Sequence, residues 1–183
     1  MVRKTSYTGS LSPEYALLGL LSQKPAHGYE LHQCMLRDLG QIWHISLSQT
    51  YNILNRLEVQ GFIRGDLQEQ EKLPARRYFK LTESGRERFE TWLNSASGCS
   101  VRLIRVEFTT RLYFARMRGS EFVSKLIAAQ ISETTACLQR LQVKLDSTPP
   151  EQIFNQLGLD LRVRQLSSMI AWLEECRFIL EVE

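Results

Sequence analysis

Histidine is scarce in this chain: there are three in 183 residues, and all lie before residue 45. The sequence contains no His-Glu-x-x-His, no Gly-x-Ser-x-Gly and no Gly-x-x-x-x-Gly-Lys. Zinc hydrolysis, acyl transfer from a nucleophile elbow and phosphate-loop chemistry each need one of those arrangements, so no enzyme is expected. His27 and His32 stand five residues apart, which puts them on different faces of a helix, and no carboxylate-rich partner accompanies them. Packed or surface histidines are expected there, with no metal. The four cysteines, Cys34, Cys99, Cys137 and Cys176, lie far apart and form no Cys-x-x-Cys. Reduced structural thiols without a cofactor are the expectation, with a redox sensor or a metal site as the alternative.

No run approaches the ~20 apolar residues of a membrane helix. The first ten residues, MVRKTSYTGS, lack the apolar stretch of a signal peptide. The expected location is therefore the cytoplasm, with no membrane partner. Charge of one sign is also in short supply. The net charge is +3, made of 12 Lys/Arg against 10 Asp/Glu before residue 96 and 11 against 10 after it. Any nucleic-acid footprint must therefore be local.

What the chain does contain is ordinary globular composition, 43% apolar and 23% charged, enough for one good core or two small ones. Residues 1–10 read as a flexible tail in which Arg3 and Lys4 are the cations. Ser12 and Pro13 then open a mostly apolar helix ending near Leu21, and Ser22 to Ala26 reads as a turn. A second helix runs from about His27 to Leu39, with Tyr29, Leu31, Cys34, Met35 and Leu39 as its apolar positions.

Ile45 to Gly61 organises the first half. Ser46 and Gln49 fit a capping box. Leu47, Thr50, Leu54 and Leu57 recur at steps of three and four and predict a buried stripe. Gly61 stands where a left-handed residue commonly ends a helix. The opposite face carries Ser48, Gln49, Asn52, Asn55 and Arg56, with no acid before Glu58. Amides, hydroxyls and arginine are the groups that read base edges in a major groove. After Gly61 the period shortens to two. Phe62 to Leu67 and Arg76 to Leu81 read as two strands, a wing carrying Arg76, Arg77 and Lys80 on its second strand. Thr82 caps a helix to Leu93, and the small polar stretch Asn94 to Ser100 marks a domain boundary.

The second half reads as helices over about 101–117, 121–145 and 151–181. The middle helix carries Val123, Ile127, Ile131, Thr134, Leu138, Leu141 and Leu145 at steps of 4-4-3-4-3-4, close to a coiled-coil seam. Ile127, Ile131, Leu138, Leu141, Leu159, Leu166, Ile170 and Leu173 are the candidates for an intermolecular, two-fold bundle. The alternative is a bundle within one chain. The fold class on this reading is mainly α with a small β-wing: a winged helix-turn-helix over 11–95 and a helical dimerisation or effector domain over 101–183.

The first half resembles the PadR family of bacterial transcriptional regulators. The matching pieces are Leu17-Leu-Gly-Leu-Leu21, Pro25-Ala-His-Gly-Tyr-Glu-Leu31, Ser46 with Tyr51, Leu54, Leu57-Glu and Gly61-Phe-Ile63, and Arg76-x-Tyr78-Phe-x-Leu81-Thr-x-x-Gly85. Two departures stand near the proposed DNA contacts. Gln49 and Thr50 occupy the place where members often have glycine before the tyrosine. Leu73-Pro-Ala-Arg76 replaces the usual Gly-x-Pro-x-[Lys/Arg] of the wing tip.

The resemblance implies a homodimer that binds double-stranded DNA, mostly as a repressor, with a small aromatic effector in some members. The length of the C-terminal half is similar to the virulence-activator branch. On this reading Ser48, Gln49, Tyr51, Asn52 and Asn55 touch base edges, while Arg56, Arg76, Arg77 and Lys80 hold phosphates. Trp43, Trp92, Trp172, Phe108 and Phe114 are the aromatics available to an effector pocket, or to plain core. A winged helix used as a protein-interaction scaffold, or a ligand-led sensor, would share this outline. The acid-free recognition face beside a basic wing strand favours DNA.

Overall fold

The computed structural model describes residues 11–70 and 73–181, and the side chains of these apart from 68–76 and 181. The expected tail, with Arg3 and Lys4, lies outside the described residues. Two compact units divide between Arg86 and Glu87, earlier than the 94–100 stretch that composition suggested.

The first unit contains α1 (Glu14–Gln23), β1 (Ala26–His27), α2 (Gly28–Leu39), α3 (Leu47–Val59), β2 (Ile63–Gln70), β3 (Leu73–Leu81) and the start of α4 (Glu83–Leu93). The helix α1 is buried from Glu14 through Leu21, as a segment without a polar face must be. Ser12 Oγ accepts from Glu14 N at 3.4 Å, just ahead of Pro13. Leu17, Leu18, Leu31, Met35, Leu39, Leu54, Leu57, Ile63 and Phe79 close a core between α1, α2, α3 and the sheet.

The wing holds a third strand. Ala26 and His27 pair antiparallel with Phe79 and Tyr78, giving the order β1-β3-β2. Two residues are too few to show a period of two, so this strand reads as part of a turn in the sequence. On α2, Tyr29 is 58% exposed rather than inward. His32 is buried instead, its Nδ1 3.1 Å from Thr50 Oγ1. That hydroxyl also donates to Ser46 O at 3.1 Å, so the buried polar groups of α2 and α3 satisfy each other.

In the second unit α5 (Val101–Leu103), a π-helical turn (Ile104–Phe108) and α6 (Thr109–Arg116) form one helical run, followed by α7 (Ser120–Asp146) and α8 (Ile153–Glu181). Ile104, Phe108, Leu112, Val123, Ile127 and Leu173 share one core cluster. Cys137, Leu141, Leu159 and Leu166 share another. Early α7 thus meets late α8 and late α7 meets early α8, an antiparallel hairpin.

This arrangement changes the reading of the seam. Ile127, Leu141, Leu159, Leu166 and Leu173 are buried inside the chain, Ile131 and Leu138 pack against them, and Ile170 is half-buried. With 27 and 29 residues, each helix is about 40 Å long. Folded back, each supplies the partner surface that the seam seemed to lack within one chain.

Buried polar groups fasten the 94–100 segment. Arg111 lies 4.9 Å over the Trp92 ring and donates to Ser97 Oγ at 2.6 Å and Ser95 Oγ at 3.1 Å. Glu107 Oε1 sits 2.5 Å from Arg111 Nη2 and accepts from Trp92 Nε1 at 3.2 Å. Gln130 clamps the Ser97 backbone, accepting from its N–H at 3.0 Å and donating to its carbonyl at 3.1 Å.

The expectation of four reduced thiols is corrected: Cys99 and Cys137 are joined as a disulfide, with Cα atoms 6.3 Å apart. The two lie 38 residues apart, and folding rather than motif spacing brings them together. Cys34 and Cys176 are free and half-buried. Among the described residues no helix is long and apolar enough to cross a membrane.

Candidate nucleic-acid interface

Local signals fix both ends of α3. Ser46 Oγ accepts from Gln49 N at 3.2 Å, and Gln49 Oε1 accepts from Ser46 N at 2.8 Å. These bonds satisfy orphan donors of the first turn. At the other end Gly61 has φ +76°. Its N–H donates to Glu58 O and the Phe62 N–H to Leu57 O, both at 2.9 Å, the bonds of a Schellman motif. Gly61 O in turn accepts from Thr82 Oγ1 at 2.7 Å and Ser84 Oγ at 3.0 Å. The helix exit is thereby tied to the start of α4. Thr82 also caps α4, accepting from Gly85 N at 3.1 Å.

Thr50, Ile53, Leu54 and Leu57 form the buried stripe of α3. Leu47, expected in that stripe, is 37% exposed. It opens the first turn, where the helix has not yet reached the core, and Ile53 completes the stripe in its place.

Ser48, Gln49, Tyr51, Asn52, Asn55 and Arg56 are all exposed on α3, so the residues expected to meet DNA share one accessible helix. They are not equally available. Ser48, Asn52 and Asn55 carry no side-chain hydrogen bond among the described residues. The Gln49 carbonyl is engaged in its cap. Tyr51 rests on the backbone of Gly28: a Cβ there would stand 2.5 Å from Tyr51 Cε1. The glycine of the Pro-Ala-His-Gly-Tyr-Glu stretch therefore makes room for the recognition-helix tyrosine.

The cations hold the larger surprise. Arg56 Nη2 lies 3.1 Å from Glu14 Oε2, Arg77 Nη2 lies 2.7 Å from Glu58 Oε2, and Lys80 Nζ lies 2.9 Å from Asp66 Oδ2. Arg76 has no described side chain. Glu58 Oε1 also accepts from Gly65 N at 2.9 Å, so one carboxylate joins the end of α3 to both long strands of the wing. Asp66 receives Arg64 Nε as well, at 3.2 Å. The hydrogen bond from Lys80, opposed by desolvation and helped by the Arg64 charge, lowers the Asp66 pKa from its ordinary value.

Glu14, Glu58 and Asp66 were not singled out by the sequence. The Asp66–Lys80 pair was within reach of hairpin register, since Asp66 faces Tyr78 and Arg64 faces Lys80. Glu14 and Arg56 stand 42 residues apart, with no local pattern to link them. An open groove of about 490 Å³ runs beside α3, lined by Ser12, Glu14, Gln49, Asn52 and Arg56. The recognition face is therefore free of acid along α3 but not along the groove, where α1 brings a carboxylate to its wall.

Residues 17–91 match the transcriptional regulator PadR-like family, and residues 104–181 match the virulence activator alpha C-terminal family. The chain belongs to the PadR-like family of transcriptional regulators. Such a regulator is a DNA-binding transcription factor and not an enzyme. It is similar to the negative transcriptional regulator PadR of Bacillus subtilis (strain 168), at 27% identity over 170 residues, 88% of this chain and 93% of the relative. Among solved structures, it is similar to Bacillus subtilis PadR in complex with operator DNA, at 25% identity and a TM-score of 0.46, over 91% of this chain and 98% of that one. Bacillus subtilis PadR in complex with p-coumaric acid aligns at 25% identity and a TM-score of 0.41, over 92% of this chain and 98% of that one.

Proposed function

We propose that this PadR-like regulator is a cytoplasmic homodimeric repressor that reads an inverted-repeat operator through α3. The observation that carries the reading is the row of exposed, uncommitted polar groups, Ser48, Asn52 and Asn55, on a helix fixed at both ends by its own caps. Such groups present donors and acceptors to base edges, and a rigid element holds them in register. Arg56, Arg77 and Lys80 then meet phosphates by exchanging a carboxylate partner for a phosphate oxygen. The part-exposed pairs of Arg77 and Lys80 contribute about 0–1 kcal/mol, so their exchange costs little, whereas Arg56 would leave the buried Glu14 carboxylate and exchanges at a higher cost. These exchanges also add little, and non-specific affinity is correspondingly modest.

The homodimer is supported by the face of α8 that the hairpin leaves uncovered. Ile153, Phe154, Leu157 and Leu161 recur at helical steps and stay exposed, Phe154 at 85%. A second copy would cover them, in place of the inward residues that the seam first suggested. Two α3 helices related by a dyad would address half-sites about one helical turn, ~34–36 Å, apart. Repression follows the negative regulator to which the chain is similar. A small aromatic effector is the remaining part of the proposal, and it would act by favouring one inter-wing spacing over another.

Selection of bound duplexes from a random pool, followed by affinity for the winner across a salt series, tests the reading. The expected result is an enriched inverted repeat whose log affinity falls linearly with log salt. Folded, dimeric protein that enriches nothing would overturn sequence-reading by α3.

A further inference from the structure

We propose that Cys99 and Cys137 are a reversible redox lock, closed by a hydroperoxide and opened by a dithiol, on the segment that joins α4 to the C-terminal helices. The two sulfurs are bonded across 38 residues of sequence, between the 94–100 segment and the middle of α7. In a cytoplasmic protein a disulfide is usually transient and redox-sensing rather than a permanent staple. The surroundings suit reversal. Arg111 holds Ser95 and Ser97, and Gln130 clamps the Ser97 backbone. The segment therefore stays seated when the covalent link is open, and the two thiols remain within reach of each other.

The two sulfurs divide the work by exposure. Cys99 is half-buried and Cys137 is buried among Leu141, Leu159 and Leu166. Cys99 is thus the sulfur a peroxide reaches. Its thiolate attacks the O–O bond, giving a sulfenic acid at Cys99 and releasing water or an alcohol. The Cys137 sulfur then displaces the sulfenic hydroxyl, which leaves as water, and the S–S bond closes. Two electrons pass from the two sulfurs into the broken O–O bond, and both thiol protons leave with the oxygen products. A dithiol returns two electrons and two protons and departs as its own disulfide. Cys176 is a poor competitor, because burial and then the neighbouring Glu175 charge push its thiol pKa up and leave less thiolate.

Closing the lock removes freedom from the segment that joins α4 to the C-terminal helices, inside the second unit. Resting on the DNA-binding reading, this alters operator affinity. It also stabilises the second unit whether or not DNA is bound.

The test uses the full chain, treated with hydrogen peroxide or with dithiothreitol, then alkylated and mapped as peptides. The expected result is a single Cys99–Cys137 linked peptide after peroxide, lost after dithiothreitol, with Cys34 and Cys176 alkylated throughout. Closing a loop of this length should raise Tm by about 10 °C. Cys99→Ser and Cys137→Ser should each abolish that rise and Cys34→Ser should keep it. If Cys137→Ser folds poorly, the half-buried position, Cys99→Ser, carries the same test. Affinity for the selected operator should differ at least threefold between the two forms. No linked peptide, a link that dithiothreitol leaves intact, or equal affinity with the link formed would each overturn the proposal. Loss of operator binding in both forms would count against the DNA reading, and the lock would then stand or fall on the peptide map and Tm.

Discussion

Glu58 Oε2 and Arg77 Nη2 lie 2.7 Å apart, joining the last turn of α3 to the second long strand of the wing. The same carboxylate accepts from the Gly65 backbone, so it fixes where the wing stands beside the recognition helix. Arg77 is 47% exposed and Glu58 22%, which limits the pair's contribution to stability to below about 1 kcal/mol. On the proposed DNA reading, its effect is on binding. Arg77→Ala should weaken binding equally on operator and random duplex and flatten the salt slope by about one unit. Glu58→Gln should raise affinity for random duplex about threefold, because it removes a negative charge beside the phosphates. Titrations of both variants on both duplexes check this; loss confined to the operator would place Arg77 on a base.

Asn52→Ala should do the opposite, relaxing sequence preference by ~1–3 kcal/mol, the range for one good base contact, while leaving random duplex unchanged. Equal losses on the selected operator and on random DNA would remove Asn52 from the base-reading set.

Two helical glycines should respond with opposite signs. A Cβ at Gly85 would stand 2.0 Å from the Phe62 carbonyl oxygen, a backbone atom held by its own bond from Thr82 N. Gly85→Ala should therefore destabilise by about 2–4 kcal/mol. Nothing lies within 4 Å of a Cβ at Gly158, on α8. Gly158→Ala should stabilise by up to about 1 kcal/mol through helix propensity. Denaturant melts of both variants decide the signs.

Acid should weaken the wing as the Asp66–Lys80 pair is lost. The Asp66 carboxyl titrates below its ordinary value of 3.8, held there first by Lys80. A depressed carboxylate contributes stability above its unfolded pKa, and that contribution is lost as pH falls through the folded pKa. The window is thus below about pH 4. An NMR titration should place the Asp66 midpoint under 3.8, and Lys80→Met should move it up. A midpoint unchanged in Lys80→Met would assign the shift to another group.

Phe154→Asp and Leu157→Asp should shift the protein from dimer to monomer in analytical ultracentrifugation without lowering its helix content. A dimer that survives both would move the proposed interface off this face of α8.

Much of α3 was legible in the sequence because its signals are local. The capping box spans Ser46 to Gln49, and Gly61 sits directly beyond the last turn. Tertiary facts were not legible. The β1 strand is two residues long and exists only because β3 offers it a partner. The partners of Arg56 and Arg77 come from other elements, so a count of cations on one strand overstated the free charge. The seam over Ile127 to Leu141 was correct as a periodicity. Its partner, however, depended on whether α8 folds back, and no helix period encodes that. Cys99 and Cys137 meet for the same reason, through the packing of 94–100 against α7.

On the proposed DNA reading, the cap on α3 also limits which bases the helix can address. An unencumbered glutamine recognises adenine with both ends of its amide, accepting from the exocyclic amine and donating to N7. The Gln49 carbonyl oxygen already accepts from Ser46 N at 2.8 Å, which leaves it one lone pair and fixes the plane of the amide. On the proposed DNA reading, Gln49 held in this cap would favour acceptors such as guanine O6 and N7 or thymine O4 over flat, two-ended pairing with adenine. Swinging the amide free to pair flat with adenine would unfasten the first turn of α3.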